Sequence, residues 1–125
     1  MTFKIDTKPT YTVITPETAI MDVNLAAALR QKVEELAAGN SQNFVMDMHL
    51  VGQIDMAAGA AMVQLHHDAY SNGCSLVWTA LTEAGMQTMK KGQYHLSLNL
   101  APTLAEAVDI ISMEVLERDI LGEVQ

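Results

Sequence analysis

The sequence predicts an α/β fold: a mixed, largely parallel sheet of about five strands with about four helices packed against it. Three observations support this prediction. Strand and helix patterns alternate after residue 20, which is typical of β-α-β units. Residues 44–48 and 75–79 are apolar almost throughout, as in strands covered on both faces. Half of the 125 residues are apolar but only 5% are aromatic, which suits helices packed closely on a sheet.

The N-terminal part contains two predicted strands and one predicted helix. Residues 3–6 alternate between apolar and polar side chains, and residues 11–14 are rich in β-forming side chains. Residues 16–22 are predicted as a connecting loop. A helix follows because apolar residues then recur at helical spacing, with either Asp22 or Asn24 as its N-cap.

The middle of the chain contains a strand, a loop, a helix and another strand. Residues 44–48 form the first strand, and residues 49–55 form the loop. Residues 57–72 are predicted as a helix with an inner stripe of four apolar residues, which are Ala58, Met62, Leu65 and Ala69. The first two turns of this helix carry almost no side-chain volume. These small residues would let the helix approach either the sheet or a partner closely, and close packing on the sheet is favoured. Residues 75–79 form the next strand.

The C-terminal part contains two predicted helices and an edge strand. Thr82 is predicted to cap a short helix that ends near Lys91. Residues 94–98 alternate and are predicted as a short edge strand. Thr103 and Glu106 have the spacing of a capping box that opens a last helix. The predicted inner stripe of that helix consists of Leu104, Ala107, Val108, Ile111 and Val115.

Length and composition predict one domain, residues 1–125, since no Pro-, Gly- or Ser-rich linker divides the chain. Seven basic against fifteen acidic residues give a formal charge of −8, which argues against a nucleic-acid partner. Six acidic residues lie between Glu106 and Glu123. A solvated helix face is favoured there over a partner-docking surface.

The sequence predicts a cytoplasmic protein without membrane insertion. No apolar run approaches the roughly 20 residues needed to cross a bilayer, and the N-terminus does not resemble a signal peptide. Cys74 is the only cysteine, which excludes an internal disulfide.

Catalytic and metal sites are not predicted. Adjacent residues on a helix point about 100° apart, so His66 and His67 are interpreted as part of a solvated helix face rather than as metal ligands. Asp47 and Asp55 are expected to bond loop amides rather than to catalyse a reaction. Cys74 is interpreted as a packing residue. No Gly-rich nucleotide-binding motif is present, so no cofactor is predicted and the protein is not expected to be an enzyme.

Three segments resemble the STAS domain family of anti-sigma factor antagonists. An apolar strand containing Asp47 is followed eight residues later by Asp55, as in that family. The segment from Asp55 to residue 81 aligns with the family's helix, Gly-containing turn and strand. Residues 102–110 resemble the family's P-T-x-x-E-A opening of the last helix. The resemblance runs over residues 11–120 and implies the STAS-type fold.

The family's phosphoacceptor position has no hydroxyl group in this chain. Where phosphorylatable members read Asp-Ser-Ser-Gly or Asp-Ser-Thr-Gly, this chain has Asp55, Met56, Ala57, Ala58 and Gly59. The ungapped alignment places Ala57 at the acceptor position, and a shift by one residue places Ala58 there. By resemblance, these five residues are the partner-binding segment, and binding is constitutive. The sequence leaves open whether Met56 is exposed.

The resemblance implies a non-catalytic interaction module that binds an anti-sigma factor or a related ATPase-fold serine kinase. One alternative is a soluble accessory subunit of an ABC-type lipid transport complex, because some STAS domains without the acceptor serine associate with such an ATPase. Another is a scaffold or homodimer built through the Ala-rich helix.

Overall fold

The computed structural model describes residues 3–124, with side chains up to residue 121. The strands are β1 (Phe3–Thr7), β2 (Thr12–Pro16), β3 (Ile20–Met21), β4 (Asn43–Asp47), β5 (Gln53–Ile54), β6 (Ser75–Thr79) and β7 (Leu100–Ala101). The helices are α1 (Val23–Ala38), α2 (Met56–Ser71), α3 (Glu83–Lys91) and α4 (Leu104–Val124), and a short 3-10 helix spans Tyr94–Ser97.

Five strands form one mixed sheet in the order β1-β2-β4-β6-β7. β1 and β2 are antiparallel, whereas the pairs β2–β4, β4–β6 and β6–β7 are parallel. β1 and β7 therefore lie at the two edges. β3 and β5 pair in parallel as a separate two-stranded sheet. The predicted α/β class, with a largely parallel five-stranded sheet and four helices, is confirmed.

Both faces of the central sheet are covered, because successive side chains along a strand point to opposite faces. Phe44 and Met46 of β4 and Trp78 of β6 belong to a core that also includes residues of α1, α2 and α3. Val45 and Val77, the alternate residues, pack in a second core with residues of α4. This arrangement explains why β4 and β6 are apolar almost throughout.

Predicted helix caps are present as hydrogen bonds. An Asp22 side-chain oxygen accepts from the amide of Leu25 at 2.8 Å, which identifies Asp22 rather than Asn24 as the cap of α1. The Thr103 hydroxyl accepts from the amide of Glu106 at 3.2 Å. These bonds satisfy amides that a helix leaves without a partner at its start.

The predicted edge strand at residues 94–98 is wrong. Tyr94–Ser97 is a 3-10 helix, which follows Gln93 in the left-handed conformation with φ of 59°. The edge of the sheet is formed by β7 instead. Only Leu98 of the alternating segment is buried. Five alternating residues are too few to distinguish an edge strand from a helical turn.

Two predicted loops contain the small sheet, since β3 lies within residues 16–22 and β5 lies within residues 49–55. The inner stripe of α4 also needs correction at its first position. Ala107 and Ile111 are buried, but Leu104 is 43% exposed because it lies in the first turn, beyond the edge of the core.

Candidate protein-interaction surface

The small sheet fixes the segment that leads into α2. Parallel pairing of β3 with β5 places the end of the first loop against the start of α2. The amide of Gly52 donates to the carbonyl of Ala19 at 2.8 Å, and the amide of Asp55 donates to the carbonyl of Met21 at 2.9 Å. Two chain segments that are more than 30 residues apart are thereby joined at the N-terminus of α2.

Thr82 holds the same segment from the side of α3. Its hydroxyl donates to the carbonyl of Gly52 at 2.9 Å and accepts from the amide of Gly85 at 3.1 Å. One side chain thus caps α3, as predicted, and also ties α3 to the loop before α2. The segment that leads into α2 is thus hydrogen-bonded to residues 19–21 on one side and to Thr82 at the start of α3 on the other.

Asp55 is the N-cap residue of α2, but its carboxylate makes no capping hydrogen bond. The side chain is exposed and lines a groove of about 330 Å³ between β5 and α3. Gln53, Gln87 and Lys91 also line this groove, so it combines both signs of charge with amide groups. Such a groove offers polar contacts to a bound protein segment.

The five predicted contact residues divide into two sets. Asp55, Met56 and Ala57 are exposed, and Met56 is 42% exposed. Ala58 and Gly59 are buried, because they begin the helix face that packs on the core. Ala58 and Gly59 therefore present little surface to a partner in this fold.

Gly59 serves internal packing instead. A Cβ atom added at Gly59 would lie 2.4 Å from the ring of Tyr94, and one added at Gly92 would lie 2.3 Å from the same ring. The small residues at the start of α2 thus allow the 3-10 helix to approach closely. The sequence favoured internal packing over a partner contact here, but it predicted the sheet rather than the 3-10 helix as the neighbour.

Three further exposed apolar residues lie in the segments that the small sheet joins. Ile20 and Val23 are each 50% exposed, and Leu50 is 46% exposed. Sequence reasoning missed them, although Ile20 and Leu50 lie inside predicted loops, where apolar residues are a usable signal of a contact surface. We define the α2-entry surface as Ile20, Val23, Leu50, Asp55, Met56 and Ala57.

Asp47 has the structural role that the sequence suggested. One carboxylate oxygen accepts from the backbone amide of His49 at 3.1 Å and bonds the Nδ1 atom of the same residue at 2.8 Å. These bonds stabilise the turn after β4. Asp55, in contrast, bonds no loop amide through its side chain.

His66 does not belong to a solvated face, so that prediction is wrong for this residue. Only 8% of His66 is exposed, and its Nδ1 accepts a hydrogen bond from Nε1 of buried Trp78 at 3.3 Å. Burial lowers the pKa of His66, opposed by the charge of Glu114. His67 is exposed, as predicted. Helical spacing places His66 beside the inner stripe, which is the signal for its burial.

A polar network lies between α2 and α4. The hydroxyl of Tyr70 donates to the carboxylate of Glu114 at 2.7 Å and accepts from the side-chain amide of Asn99 at 2.5 Å. Burial, reinforced by the bond to Glu114, raises the pKa of Tyr70 to about 12. Cys74 is buried as a packing residue, and burial raises the pKa of its thiol.

Among residues 3–124, no cluster of three or more His, Cys, Asp or Glu residues has an arrangement that could hold a metal ion. None of the described helices is long and apolar enough to cross a membrane.

Comparison with known proteins assigns the fold and places most of the chain in one domain family. The family model of the STAS domain matches residues 2–107. A search of curated proteins gave no significant match. Among solved structures, the proposed anti-sigma factor antagonist TM1081 of Thermotoga maritima is 15% identical, with a TM-score of 0.74 over 88% of this chain and 94% of that one.

Two other solved structures show the range of proteins with this fold. The anti-sigma factor antagonist SpoIIAA in its unphosphorylated form is 11% identical, with a TM-score of 0.68 over 89% of this chain and 96% of that one. The murine anion transporter Slc26a9 is 15% identical, with a TM-score of 0.64 over 83% of this chain but only 18% of the transporter. The same fold thus occurs alone and as part of a much larger protein.

Proposed function

The chain belongs to the STAS domain family, and on this premise we propose that it is a non-catalytic regulatory module that binds an anti-sigma factor or a related ATPase-fold kinase. The α2-entry surface is the proposed contact. The observation that carries the proposal is the exposure of apolar side chains in the segments joined at the start of α2, where the Asp55 carboxylate makes no capping hydrogen bond. By resemblance, the family's switch segment corresponds to residues 55–59 of this chain. Exposed large apolar side chains next to polar groups are typical of protein contact surfaces.

We further propose that binding is constitutive. By resemblance, the ungapped alignment places Ala57, which is exposed in the first turn of α2, at the family's phosphoacceptor position, and a shift by one residue places buried Ala58 there. A phosphate there would add roughly −1.5 to −2 charges to a surface that already carries Asp55. Because alanine cannot accept the phosphate, a partner kinase has no means to release itself by modifying this segment.

The first test compares three forms of the protein as bait in the lysate of its source cell. Met56→Glu changes an exposed residue of the α2-entry surface, and Leu96→Glu is the matched control, since Leu96 is 75% exposed on the 3-10 helix. We expect wild type and Leu96→Glu to retain an ATPase-fold kinase and Met56→Glu to lose it. Ala58→Glu is unsuitable because it would bury a charge in the core.

Two outcomes would contradict the proposal. Recovery of an ABC transporter ATPase by the wild-type protein but not by Met56→Glu would identify the protein as a transport accessory subunit. Retention of the kinase by Met56→Glu would exclude the α2-entry surface as its contact.

Phosphorylation is tested with the recovered kinase and Ala57→Ser. We expect wild type to remain unmodified, whereas the introduced hydroxyl accepts phosphate and weakens kinase binding. Phosphate on residues 55–59 of the wild-type protein would refute constitutive binding.

A further inference from the structure

Helix α4 is apolar on two opposite faces. One face packs on the sheet through Ala107 and Ile111, which are 0% and 1% exposed. The other face carries Met113, Leu116 and Ile120, which are 66%, 60% and 51% exposed. A surface helix in a globular protein normally has a polar outer face. The exposed apolar side chains on α4 are therefore a feature that folding of this chain does not explain.

The three exposed residues form a continuous row, which we call the α4 outer row (Met113, Leu116 and Ile120). At 100° per residue, they fall within a sector of about 60° that points away from the sheet. Their spacing of three and then four residues is that of the a and d positions of a coiled coil. Over residues 113–120, between the acidic d positions Asp109 and Glu123, the row thus has the pattern by which one helix packs along another.

Negative charge borders the row on both sides. Glu117 and Asp119 take the flanking positions that correspond to e and g of the same heptad. Arg118, the only basic residue of α4, points the other way and donates to the carbonyl of Gly73 at 2.7 Å. Within the described part of α4, no cation therefore offsets the charge beside the row.

We propose that the α4 outer row docks a basic amphipathic helix of a partner protein, at a site separate from the α2-entry surface. Complementarity requires apolar residues at the a and d positions of the partner helix and Lys or Arg at its e and g positions. A second copy of this chain is disfavoured, because it would bring Glu117 and Asp119 against the same carboxylates. An anionic membrane surface is disfavoured for the same reason.

The test uses a fluorescent synthetic helix of about three heptads with Leu at a and d and Lys at e and g. Binding to the full chain is followed by anisotropy at low and high salt, and a peptide with Glu at e and g is the matched comparison. We expect salt-sensitive binding of the basic peptide only. Leu116→Ser and Ile120→Ser should each weaken it about tenfold or more, since each removes an apolar contact.

Charge-conserving variants separate docking from non-specific attraction to an acidic protein. Leu116→Ser and Ile120→Ser leave the net charge of −8 unchanged, and Leu96→Ser is the control at an exposed apolar residue elsewhere. The proposal is overturned if the row variants bind the basic peptide as tightly as wild type, or if the acidic peptide binds equally well.

Two further measurements address the other occupants. A dimer in sedimentation that Leu116→Ser dissociates would assign the row to a second copy. Flotation with phosphatidylcholine–phosphatidylglycerol vesicles that Leu116→Ser abolishes would assign it to a membrane. Either result overturns the proposal without bearing on kinase binding at the α2-entry surface.

Discussion

Replacement of His66 by Leu should destabilise the protein through the indole of Trp78. Trp78 is fully buried, and its Nε1–H group donates to Nδ1 of His66 at 3.3 Å. Leu fills much of the same space but offers no acceptor, so the indole N–H group remains buried and unpaired. That loss costs about 1–3 kcal/mol. For a chain of this size, the melting temperature should fall by roughly 4–12 °C.

Burial of His66 also makes the wild-type protein sensitive to acid. Because Nδ1 accepts from Trp78, the neutral ring of His66 carries its proton on Nε2. Protonation of Nδ1 would place two donors against each other. The pKa of His66 is lowered by burial, so the unfolded chain binds this proton more readily than the folded chain. Stability from this group is present above the unfolded pKa of about 6.5 and is lost as the pH falls below it.

Thermal unfolding between about pH 8 and 5.5, followed by the fluorescence of the single tryptophan, tests both effects. We expect His66→Leu to have a lower melting temperature at pH 8 and a smaller decrease on acidification than wild type. His67→Leu is the matched control, because His67 is exposed on the same helix. An unchanged or higher melting temperature for His66→Leu, or an acid response identical to wild type, would refute the role assigned to this bond.

Two further substitutions test internal packing by urea unfolding. Tyr70→Phe removes the hydroxyl that donates to Glu114 and should lower the free energy of unfolding by about 1–3 kcal/mol. Because the pKa of Tyr70 is raised to about 12, the wild-type protein should lose stability as the pH rises from about 10 to 12. The Tyr70→Phe variant should lose less stability over this range. Identical alkaline profiles of the two proteins would contradict this expectation. Gly59→Val places a side chain against the ring of Tyr94 and should lower the free energy of unfolding by about 1–3 kcal/mol. The control is Ala60→Val at an exposed position, which should change the free energy of unfolding by under about 1 kcal/mol. Equal losses in the two variants would show that the close approach of Tyr94 to Gly59 is unimportant.

The long elements of this fold could be predicted from sequence because their patterns repeat. α1 and α2 each span 16 residues, enough for several helical turns of apolar spacing. β4 and β6 are recognisable because both faces are buried. β3 and β5 have two residues each, so no period can be read from them. Their position depends on pairing between distant segments, which composition and spacing do not encode.

The candidate surface was predictable only in part for the same reason. The resemblance suggests Met56 and Ala57 as contact residues, and both are exposed. The burial of Ala58 follows from its helical spacing to Met62, which already placed it on the inner stripe. The contribution of Ile20 depends on the pairing of β3 with β5, and therefore on tertiary structure.

The two edges of the central sheet affect how this protein can associate with other chains. β1 carries Lys4 and Asp6, and the latter forms an exposed ion pair with Lys8 at 3.3 Å. β7 is only two residues long. Charged side chains and very short strands at an edge discourage a foreign strand from hydrogen bonding there. We therefore expect resistance to edge-to-edge aggregation, which leaves side-chain contacts between folded surfaces as the main route by which this protein meets its partners.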